Sequence, residues 1–272
     1  MTKVILKKKI AQRIAKGHPW IFANEVDKTE GDVNAGDIVD VYFHDEVFAG
    51  RGYINPQSQI IVRLLTHKKE AIDETFFYNR ILAAWQYRKR TGYTENCRLV
   101  FGEADEMPAL IIDKFNDYFV MQTLAYGMDV WKDAIVKALE KIFSPKGIYE
   151  RNDVPVRELE GLPQQKGFLS AKFNTEIVIH ENGLEFYVDI EHGQKTGYFL
   201  DQQDNRRAIK NIVNGADVLG AFTYTGTFEI HAAHYGAASV LGIDISENAV
   251  TQANRNAALN KLNTTCRFET AN

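Results

Sequence analysis

The part of the chain from about residue 217 onward restricts the fold more than any other part of the sequence. Apolar runs alternate there with segments of helical periodicity. In order, these are a strand (Val218–Phe222), a helix (about 227–235), a strand (Ser239–Ile243) and a helix (247–260). Ser246 is a suitable N-cap for the second helix. This order with short connections is typical of a parallel, doubly wound sheet, so we predict the opening of a Rossmann-like domain.

The turn between the first strand and its helix carries the main chemical signal. Gly226 lets a ligand approach the backbone where a Cβ atom would obstruct it. The second strand ends at Asp244, where a carboxylate can accept hydrogen bonds from the two hydroxyls of a ribose. These features predict an adenosine-type cofactor in contact with Phe222, Thr223, Tyr224, Thr225, Gly226, Asp244 and Ile245. The alternative is that Gly226 only packs the turn and that Asp244 only ends a strand.

The number of glycines at this turn favours one cofactor over another. A pyrophosphate-binding fingerprint needs more glycine at the start of the helix than Gly226 provides. A cofactor without pyrophosphate, S-adenosylmethionine, therefore fits better than NAD. His231 and His234 lie three residues apart on the helix that follows. No acid or cysteine at ligand spacing joins these histidines, so we expect no metal site.

Charge is unevenly distributed along the chain. The net charge of the 272 residues is -4, so any nucleic-acid surface must be local. Residues 1–24 contain six lysine or arginine residues and no acid, which suits phosphate groups. The alternative is the solvated side of an amphipathic helix. No apolar run approaches the roughly 18 residues that span a bilayer, and the two cysteines fit a reduced, cytosolic protein.

The remaining patterns predict a chain of three domains. Short alternating runs, punctuated by glycine and proline over residues 31–66, indicate a small β-barrel. A helix follows over 73–92. Strands, a helix over 128–143 and a hairpin with the two-residue turn Asn182–Gly183 make an α+β middle domain. The predicted domains are therefore 1–72, 73–190 and 191–272.

Six stretches, in the same order along the chain, resemble large-subunit ribosomal RNA methyltransferases of the cytosine-5 type that carry an N-terminal PUA domain. They are GHPWIF (17–22), GRGYINPQSQIIVRLL (50–65), FGEADEMPALIIDKF (101–115), YERNDVPVRELEGL (149–162), ENGLEFYVDIEHGQKTGYFLDQQDNR (181–206) and the turn described above. The resemblance implies a PUA-like β-barrel, a middle domain of strand-strand-helix-strand-strand type and the first part of a class I methyltransferase domain. It also implies S-adenosylmethionine, ribosomal RNA and a cytoplasmic location.

The resemblance extends to individual residues. It implies that RNA contacts the basic N-terminal segment through Lys7, Lys9, Arg13, Lys16, His18 and Trp20. For Trp20 the alternative is a place in the barrel core. By analogy, the side chains of Lys195, Tyr198 and Asp201 line the cofactor or the target base, the alternative being a capped connecting loop. Two positions depart from the family's pattern: Gly220 stands where an acid is usual, and Thr227 where a second glycine often follows Gly226.

Methylation at cytosine C5 requires a cysteine thiolate that adds to C6 and so makes C5 nucleophilic. We expect Cys97 and Cys266 to occupy apolar core positions instead. The family's Asp-Pro-Pro segment and its nucleophile would lie beyond residue 272, so the chain is expected to be C-terminally truncated, without a catalytic residue and inactive by itself. Three of a class I domain's seven strands leave an apolar sheet edge, which we expect a second chain, such as a homodimer partner, to cover.

A different class of function fits the same patterns. The chain is then a non-catalytic RNA-binding protein or fragment, with a PUA-like domain, a middle domain and a degenerate methyltransferase half. Binding of S-adenosylmethionine separates the two hypotheses. Micromolar affinity favours an intact cofactor site, whereas absence of binding favours the RNA-binding module and would agree with glycine at position 220.

Overall fold

The computed structural model describes residues 2–8 and 11–272, and the chain divides into two compact units, residues 1–173 and 174–272. The predicted barrel and most of the predicted middle domain form the first unit together. They do so because Tyr53 and Leu65 of the barrel belong to the same hydrophobic core as Phe77 and Ile81 of the following helix. Among the described residues, no helix has the length and apolar character needed to cross a membrane.

The N-terminal part of the first unit is a six-stranded, mainly antiparallel sheet. Its elements are β1 (Lys3–Leu6), α1 (Ala11–Ala15), β2 (Trp20–Ile21), β3 (Val26–Glu30), β4 (Ile38–Tyr42), β5 (Phe48–Ile54) and β6 (Val62–Thr66). The strand order is β2-β6-β5-β4-β1-β3, with β1 parallel to β4. Val4, Ile14, Val39 and Val62 lie at the centre of its core. The alternating apolar runs thus face one interior, as the sequence pattern predicts.

The rest of the first unit is a five-stranded sheet with helices. Its elements are α2 (Glu74–Arg90), β7 (Asn96–Phe101), β8 (Leu110–Phe115), β9 (Tyr118–Thr123), α3 (Tyr126–Val130), α4 (Lys132–Phe143), β10 (Gly147–Asn152) and β11 (Gln165–Phe168). The strand order is β11-β10-β9-β8-β7. Asp73 caps α2 by accepting a hydrogen bond from the Phe76 N–H at 2.9 Å. Helices α2 and α4 pack on each other and bury Phe77, Ile135 and Leu139.

The structure corrects two details of the predicted middle domain. The single helix expected over 128–143 is two helices, because the backbone leaves helical geometry at Trp131, whose ring packs against Phe77 with 5.2 Å between ring centroids. The last two strands of the strand-strand-helix-strand-strand pattern are β10 and β11. The hairpin around Asn182–Gly183 forms as predicted, but it groups with the second unit instead of the middle domain.

The second unit contains this hairpin and a parallel sheet. Its elements are β12 (Glu176–Glu181), β13 (Leu184–Asp189), α5 (Gln203–Ala208), β14 (Asp217–Ala221), α6 (Thr227–His234), β15 (Ser239–Asp244), α7 (Glu247–Leu259) and β16 (Cys266–Thr270). The three last strands are parallel in the order β14-β15-β16. Each is joined to the next through a helix, which is the βαβ unit of a doubly wound sheet, as predicted from the alternating pattern. The carboxyl ends of β14 and β15 therefore lie side by side.

Candidate cofactor site

Asp244, the last residue of β15, fixes the turn that follows β14. Its Oδ2 atom accepts a hydrogen bond from the Tyr224 N–H at 2.8 Å, and its Oδ1 atom accepts one from the Ser246 N–H at 2.9 Å. The Thr223 N–H donates to the Ile243 carbonyl at 3.0 Å. The structure thus brings the predicted turn and the predicted acid into direct contact at the C-terminal edge of the parallel sheet, where open α/β sheets bind ligands.

The turn itself needs unusual backbone geometry. Phe222, Tyr224 and Gly226 all have positive φ angles, of 57°, 47° and 76°. A Cβ atom on Gly226 would lie 2.6 Å from the Phe268 ring and 2.9 Å from the Ala253 methyl group. Glycine at this position is therefore required for close packing of the turn against β16 and α7, in addition to its conformational freedom. Phe222 is 91% exposed, and Ile245 is also exposed, so both offer apolar surface next to the turn.

Asn256 of α7 holds the same turn from the other side. Its Nδ2 group donates to the Thr225 carbonyl at 3.0 Å, and its Oδ1 atom accepts from the Tyr187 N–H of β13 at 2.9 Å. The side chain is fully buried. One buried amide therefore ties the turn to the hairpin, and both of its hydrogen-bonding groups are satisfied by backbone. Sequence reasoning missed this residue, since an asparagine on a helix gives no sign of the strand that it meets.

The segment 193–206 contacts the turn. The Gln194 N–H donates to Tyr224 Oη at 3.0 Å, and the Phe199 ring meets the Tyr224 ring edge-on with 5.6 Å between centroids. Lys195 and Asp201 form an ion pair of 3.3 Å at the surface of the unit. Lys195 Nζ also lies 4.5 Å from the centroid of the Phe199 ring. Two of the three residues expected near the cofactor or base are thus surface groups of a segment that contacts the turn.

Tyr198 differs from its two predicted companions because its side chain is buried. The ring packs against Phe186 and lies under the guanidinium of Arg206, 4.8 Å from its carbon atom. Burial raises the pKa of the Tyr198 hydroxyl well above its ordinary value, and Glu181 adds to the effect. The pattern of apolar and polar residues in the segment did not predict that Tyr198 is buried. The structure gives Tyr198 a core position, in contrast to Lys195 and Asp201.

The Glu229 side chain occupies the space beside Gly220 and explains why that position is a glycine. A Cβ atom on Gly220 of β14 would overlap the Glu229 Oε1 atom, because the Glu229 side chain reaches back from the first turn of α6 over the strand. Glu229 is buried, and burial raises the pKa of its carboxyl. A carboxyl group therefore lies beside the strand position at which the family pattern has an acid, although it comes from the helix. Sequence reasoning missed Glu229, since an acid in the first turn of a helix is usually a solvated one.

The predicted RNA-contacting residues lie in the first unit and are partly engaged with protein groups. Arg13 forms two hydrogen bonds to the Glu25 carboxylate, of 2.6 and 2.5 Å, and a third to His18 Nδ1 at 2.8 Å. Trp20 is half-buried, and its indole N–H donates to Glu103 Oε1 at 2.7 Å. Of the remaining predicted residues, Lys7 and Lys16 are exposed. Lys9 lies outside the described residues.

Both cysteines are free and buried. Burial raises the pKa of Cys97 to about 11 and that of Cys266 to about 12. A thiol with such a pKa is protonated near neutral pH, so neither residue offers a thiolate there. Among residues 2–8 and 11–272, no group of three or more histidine, cysteine or acidic side chains is arranged to hold a metal ion.

Comparison with known proteins places this geometry in a family. Residues 4–67 match the model of a PUA-like domain, and residues 164–267 match that of an S-adenosylmethionine-dependent methyltransferase. The chain is 41% identical over 264 residues to ribosomal RNA large subunit methyltransferase I of Pseudoalteromonas atlantica, covering 94% of this chain and 66% of that protein. It is 40% identical over 270 residues to the protein of the same name from Shewanella amazonensis, covering 96% and 67%.

Solved structures give the same result for the fold. A methyltransferase complexed with S-adenosylhomocysteine has a TM-score of 0.84 and 21% identity, covering all of this chain and 70% of the other. A second, from Streptococcus mutans, has a TM-score of 0.82 and 22% identity, covering all of this chain and 71% of the other. The chain thus spans about two thirds of the length of its curated relatives. It belongs to the S-adenosylmethionine-dependent methyltransferase family of ribosomal RNA large subunit methyltransferase I, and S-adenosylmethionine is its cofactor.

Proposed function

We propose that this chain binds S-adenosylmethionine at the turn of residues 222–226 and that its protein methylates large-subunit ribosomal RNA at C5 of a cytosine. The observation that carries the cofactor site is the Asp244 carboxylate, which holds the turn from the tip of the neighbouring strand. Each carboxylate oxygen has a second lone pair, so Asp244 can accept ribose hydroxyls while it keeps its two backbone partners. The exposed side chains of Phe222 and Ile245 then offer apolar contact to the adenine.

The target chemistry rests on the family resemblance and on the order of the domains. The cofactor supplies the methyl group as an electrophile bound to a sulfonium. A thiolate would first add to C6, and C5 would then take the methyl group from the sulfonium, with S-adenosylhomocysteine as the leaving group. Loss of the C5 proton to a base and elimination of the thiolate would then restore the cytosine ring. Neither Cys97 nor Cys266 is proposed as that thiolate, because both thiols are buried and have raised pKa values.

The PUA-like domain is proposed to bind the RNA. Lys7 and Lys16 are exposed and are proposed to bind phosphates; Lys7 Nζ also donates to the Asn24 carbonyl at 2.9 Å. Arg13 is proposed to hold His18 in position while it is itself bound to Glu25. The protein is proposed to act in the cytoplasm, on its RNA substrate. A second copy of the chain is proposed to cover the exposed edge of β14. The alternative function, RNA binding without catalysis, keeps the same RNA surface and requires only that the cofactor site be inactive.

Calorimetric titration with S-adenosylmethionine tests the cofactor site. The wild-type chain is expected to bind at micromolar concentration, and Asp244→Asn to bind about 10- to 100-fold more weakly, because a hydrogen bond to a charged group contributes about 1.5–3 kcal/mol. Asp217→Asn is the matched control, since it removes a carboxylate from the opposite end of β14, where Asp217 contacts Ser239. Absence of binding by the wild-type chain would favour the non-catalytic alternative.

The RNA assignment has its own test. The logarithm of the affinity for a large-subunit ribosomal RNA fragment is expected to fall linearly with the logarithm of the salt concentration, because phosphate binding releases counterions. The double variant Lys7→Ala/Lys16→Ala should lower the slope by about 1–2, because each phosphate that a lysine neutralises adds about 0.7–0.9 to it. The control is Lys172→Ala, which removes an exposed ammonium group elsewhere in the first unit. Equal slopes for both variants would place the RNA elsewhere.

A further inference from the structure

Two buried polar atoms beside the proposed cofactor turn have no hydrogen-bond partner. They are Glu229 Oε2 and Thr223 Oγ1, and neither atom is paired within the described part of the chain. The residues are only 5% and 7% exposed. A buried polar group that is left unpaired is unfavourable, and more so when the group is charged. Two such atoms in one place therefore indicate a partner that is not part of the protein.

The fold makes room for these two groups with a pair of glycines. Gly220 of β14 and Gly242 of β15 are direct partners in the parallel register. A Cβ atom at position 220 would overlap Glu229 Oε1, and one at position 242 would lie 2.9 Å from Thr223 Oγ1. The carboxyl and the hydroxyl thus lie over neighbouring glycines near the carboxyl ends of two adjacent strands, close to the turn that Asp244 fixes.

The surroundings of Glu229 lack a compensating positive charge. Burial raises the pKa of its carboxyl, the Thr223 hydroxyl and the backbone of Glu229 itself offset part of that rise, and the charge of Asp244 adds to it. The Cys266 thiol donates to the Glu229 backbone carbonyl at 3.7 Å and not to the Oε2 atom. No lysine, arginine or histidine among the described residues forms an ion pair with Glu229. The first turn of α6 favours an acidic residue, exposed or buried, because of the helix dipole. The helix therefore does not explain why the Glu229 side chain is buried.

We propose that Glu229 and Thr223 form a subsite for a positively charged group of the cofactor, its ammonium or its sulfonium. The inference rests on the proposed cofactor site and extends it to a residue that comes from the helix. An ammonium group would donate hydrogen bonds to both Glu229 Oε2 and Thr223 Oγ1, and a sulfonium would be stabilised by the charge of the carboxylate. Either cation supplies the partner that these buried atoms lack.

Calorimetric titration of the wild-type chain and of Glu229→Gln with two ligands tests the subsite. Glu229→Gln keeps the shape of the side chain and removes its charge, so S-adenosylmethionine should bind about 10- to 100-fold more weakly. S-adenosylhomocysteine keeps the ammonium and lacks the sulfonium charge. Equal weakening for both ligands assigns the subsite to the ammonium, and weakening for S-adenosylmethionine alone assigns it to the sulfonium. Unchanged affinity of Glu229→Gln for both ligands would overturn the proposal.

A second variant moves the carboxyl group from the helix to the strand. Glu229→Ala should lose affinity, and Gly220→Asp combined with Glu229→Ala should regain most of it, because the aspartate would occupy the space that the glutamate leaves. Thermal unfolding of each variant shows whether it folds. Loss of thermal stability in Glu229→Ala without loss of affinity would reduce Glu229 to a packing residue and contradict the subsite. If the wild-type chain itself bound neither ligand, the proposed cofactor site would fail before the subsite.

Discussion

At the scale of single residues, the departure of Gly220 from its family's pattern has a steric cause. The strand carries glycine because the Glu229 side chain occupies the space into which any side chain at 220 would project. Glycine in a strand is destabilising by roughly 0.5–1 kcal/mol relative to alanine. We expect this cost to be smaller than that of the overlap which a side chain at position 220 would make with Glu229. The two residues are therefore expected to respond to substitution as a pair.

Gly220→Ala should destabilise the chain, because the added methyl group would overlap Glu229 Oε1. Forced overpacking of this kind costs about 1–3 kcal/mol. Urea unfolding should show the loss, and Glu229→Ala in the same chain should remove most of it. Gly167→Ala is the matched control on a strand, since a Cβ atom there meets nothing within 4 Å. Additive effects of the two substitutions at 220 and 229 would contradict the predicted contact.

His231 is a second residue whose behaviour follows from its surroundings. Its ring is fully buried and stacked on Phe186, with Nδ1–H donating to the Thr227 carbonyl at 2.6 Å. Burial, with help from the charge of Arg206 and against the hydrogen bond to Thr227, lowers its pKa from 6.5 to about 4. The Glu181 carboxylate, 3.6 Å from Nε2, is already bound by Arg206. The folded chain therefore keeps this imidazole neutral.

The stability of the chain should consequently depend on pH through His231. Between pH 6.5 and about 4 the unfolded chain binds a proton at this histidine and the folded chain does not, so stability is lost as the pH falls through that range. Urea unfolding at several pH values measures the slope. His231→Gln should reduce the slope of stability against pH, whereas His44→Gln, which replaces an exposed histidine, should leave the slope unchanged. An unaltered slope in His231→Gln would show that the histidine titrates alike in both states.

At the scale of elements, α7 connects the hairpin to the cofactor turn through two asparagines. Asn256 binds both Tyr187 of β13 and the Thr225 carbonyl. Asn260, one helical turn later, binds only the β13 side, through the backbone N–H and carbonyl of Glu185 at 2.9 and 2.6 Å, apart from its own helix. The pair offers a matched comparison, because the two residues share the hairpin contact and differ in the contact with the turn.

Asn256→Ala and Asn260→Ala should both lower stability, since each leaves backbone groups of the hairpin unpaired at about 1–3 kcal/mol. Only Asn256→Ala should also weaken the binding of S-adenosylmethionine, because it releases the carbonyl of Thr225 in the turn. Thermal unfolding and calorimetric titration of both variants provide the two measurements. Equal loss of cofactor affinity in the two variants would mean that the hairpin, and not the turn contact, governs the site.

The elements themselves follow largely from the sequence, whereas their grouping does not. The alternating strands and helices of residues 217–260 and the turn at Asn182–Gly183 were predictable because periodicity and turn chemistry are local. The assignment of the hairpin to the second unit depends on Asn256 and Asn260, which lie about 70 residues away from it. The break at Trp131 depends on the packing of its ring against Phe77, again a contact between elements. Local patterns carry no information on such contacts.

The candidate site divides in the same way. Asp244 and Gly226 could be found from their positions at the end of a strand and in a turn. Glu229 could not, because its burial depends on a glycine of another element, and the sequence gives no sign that the Tyr198 ring lies in the core. The only sequence feature that could have drawn attention to Glu229 is its place between the apolar residues Phe228 and Ile230.

At the scale of the whole molecule, we expect the edge of the parallel sheet to govern self-association of the chain. Strand β14 is at one edge of the three-stranded sheet of the second unit. Leu219, in the middle of this strand, is 67% exposed, and Phe222 beyond its end is almost fully exposed. Long apolar edges with unpaired backbone groups tend to pair with other strands. Self-association of the chain is therefore expected.

Analytical ultracentrifugation at micromolar concentration should show oligomers of these 272 residues. Leu219→Lys should shift the distribution towards the monomer, because a charged side chain on an edge strand opposes pairing. The control is Val47→Lys, which places the same charge at another exposed apolar position, in the first unit. A stable, monodisperse wild-type monomer would contradict the expectation that this edge needs a cover.

The turn of residues 222–226, Asp244 and Glu229 are proposed to form one cofactor site. A crystal structure of the chain with S-adenosylhomocysteine would show it. We expect the ribose hydroxyls at the Asp244 carboxylate and, if the ammonium occupies the subsite, the amino group within hydrogen-bond distance of Glu229 Oε2 and Thr223 Oγ1. Density for the ligand anywhere else on the second unit, with the turn unoccupied, would contradict it.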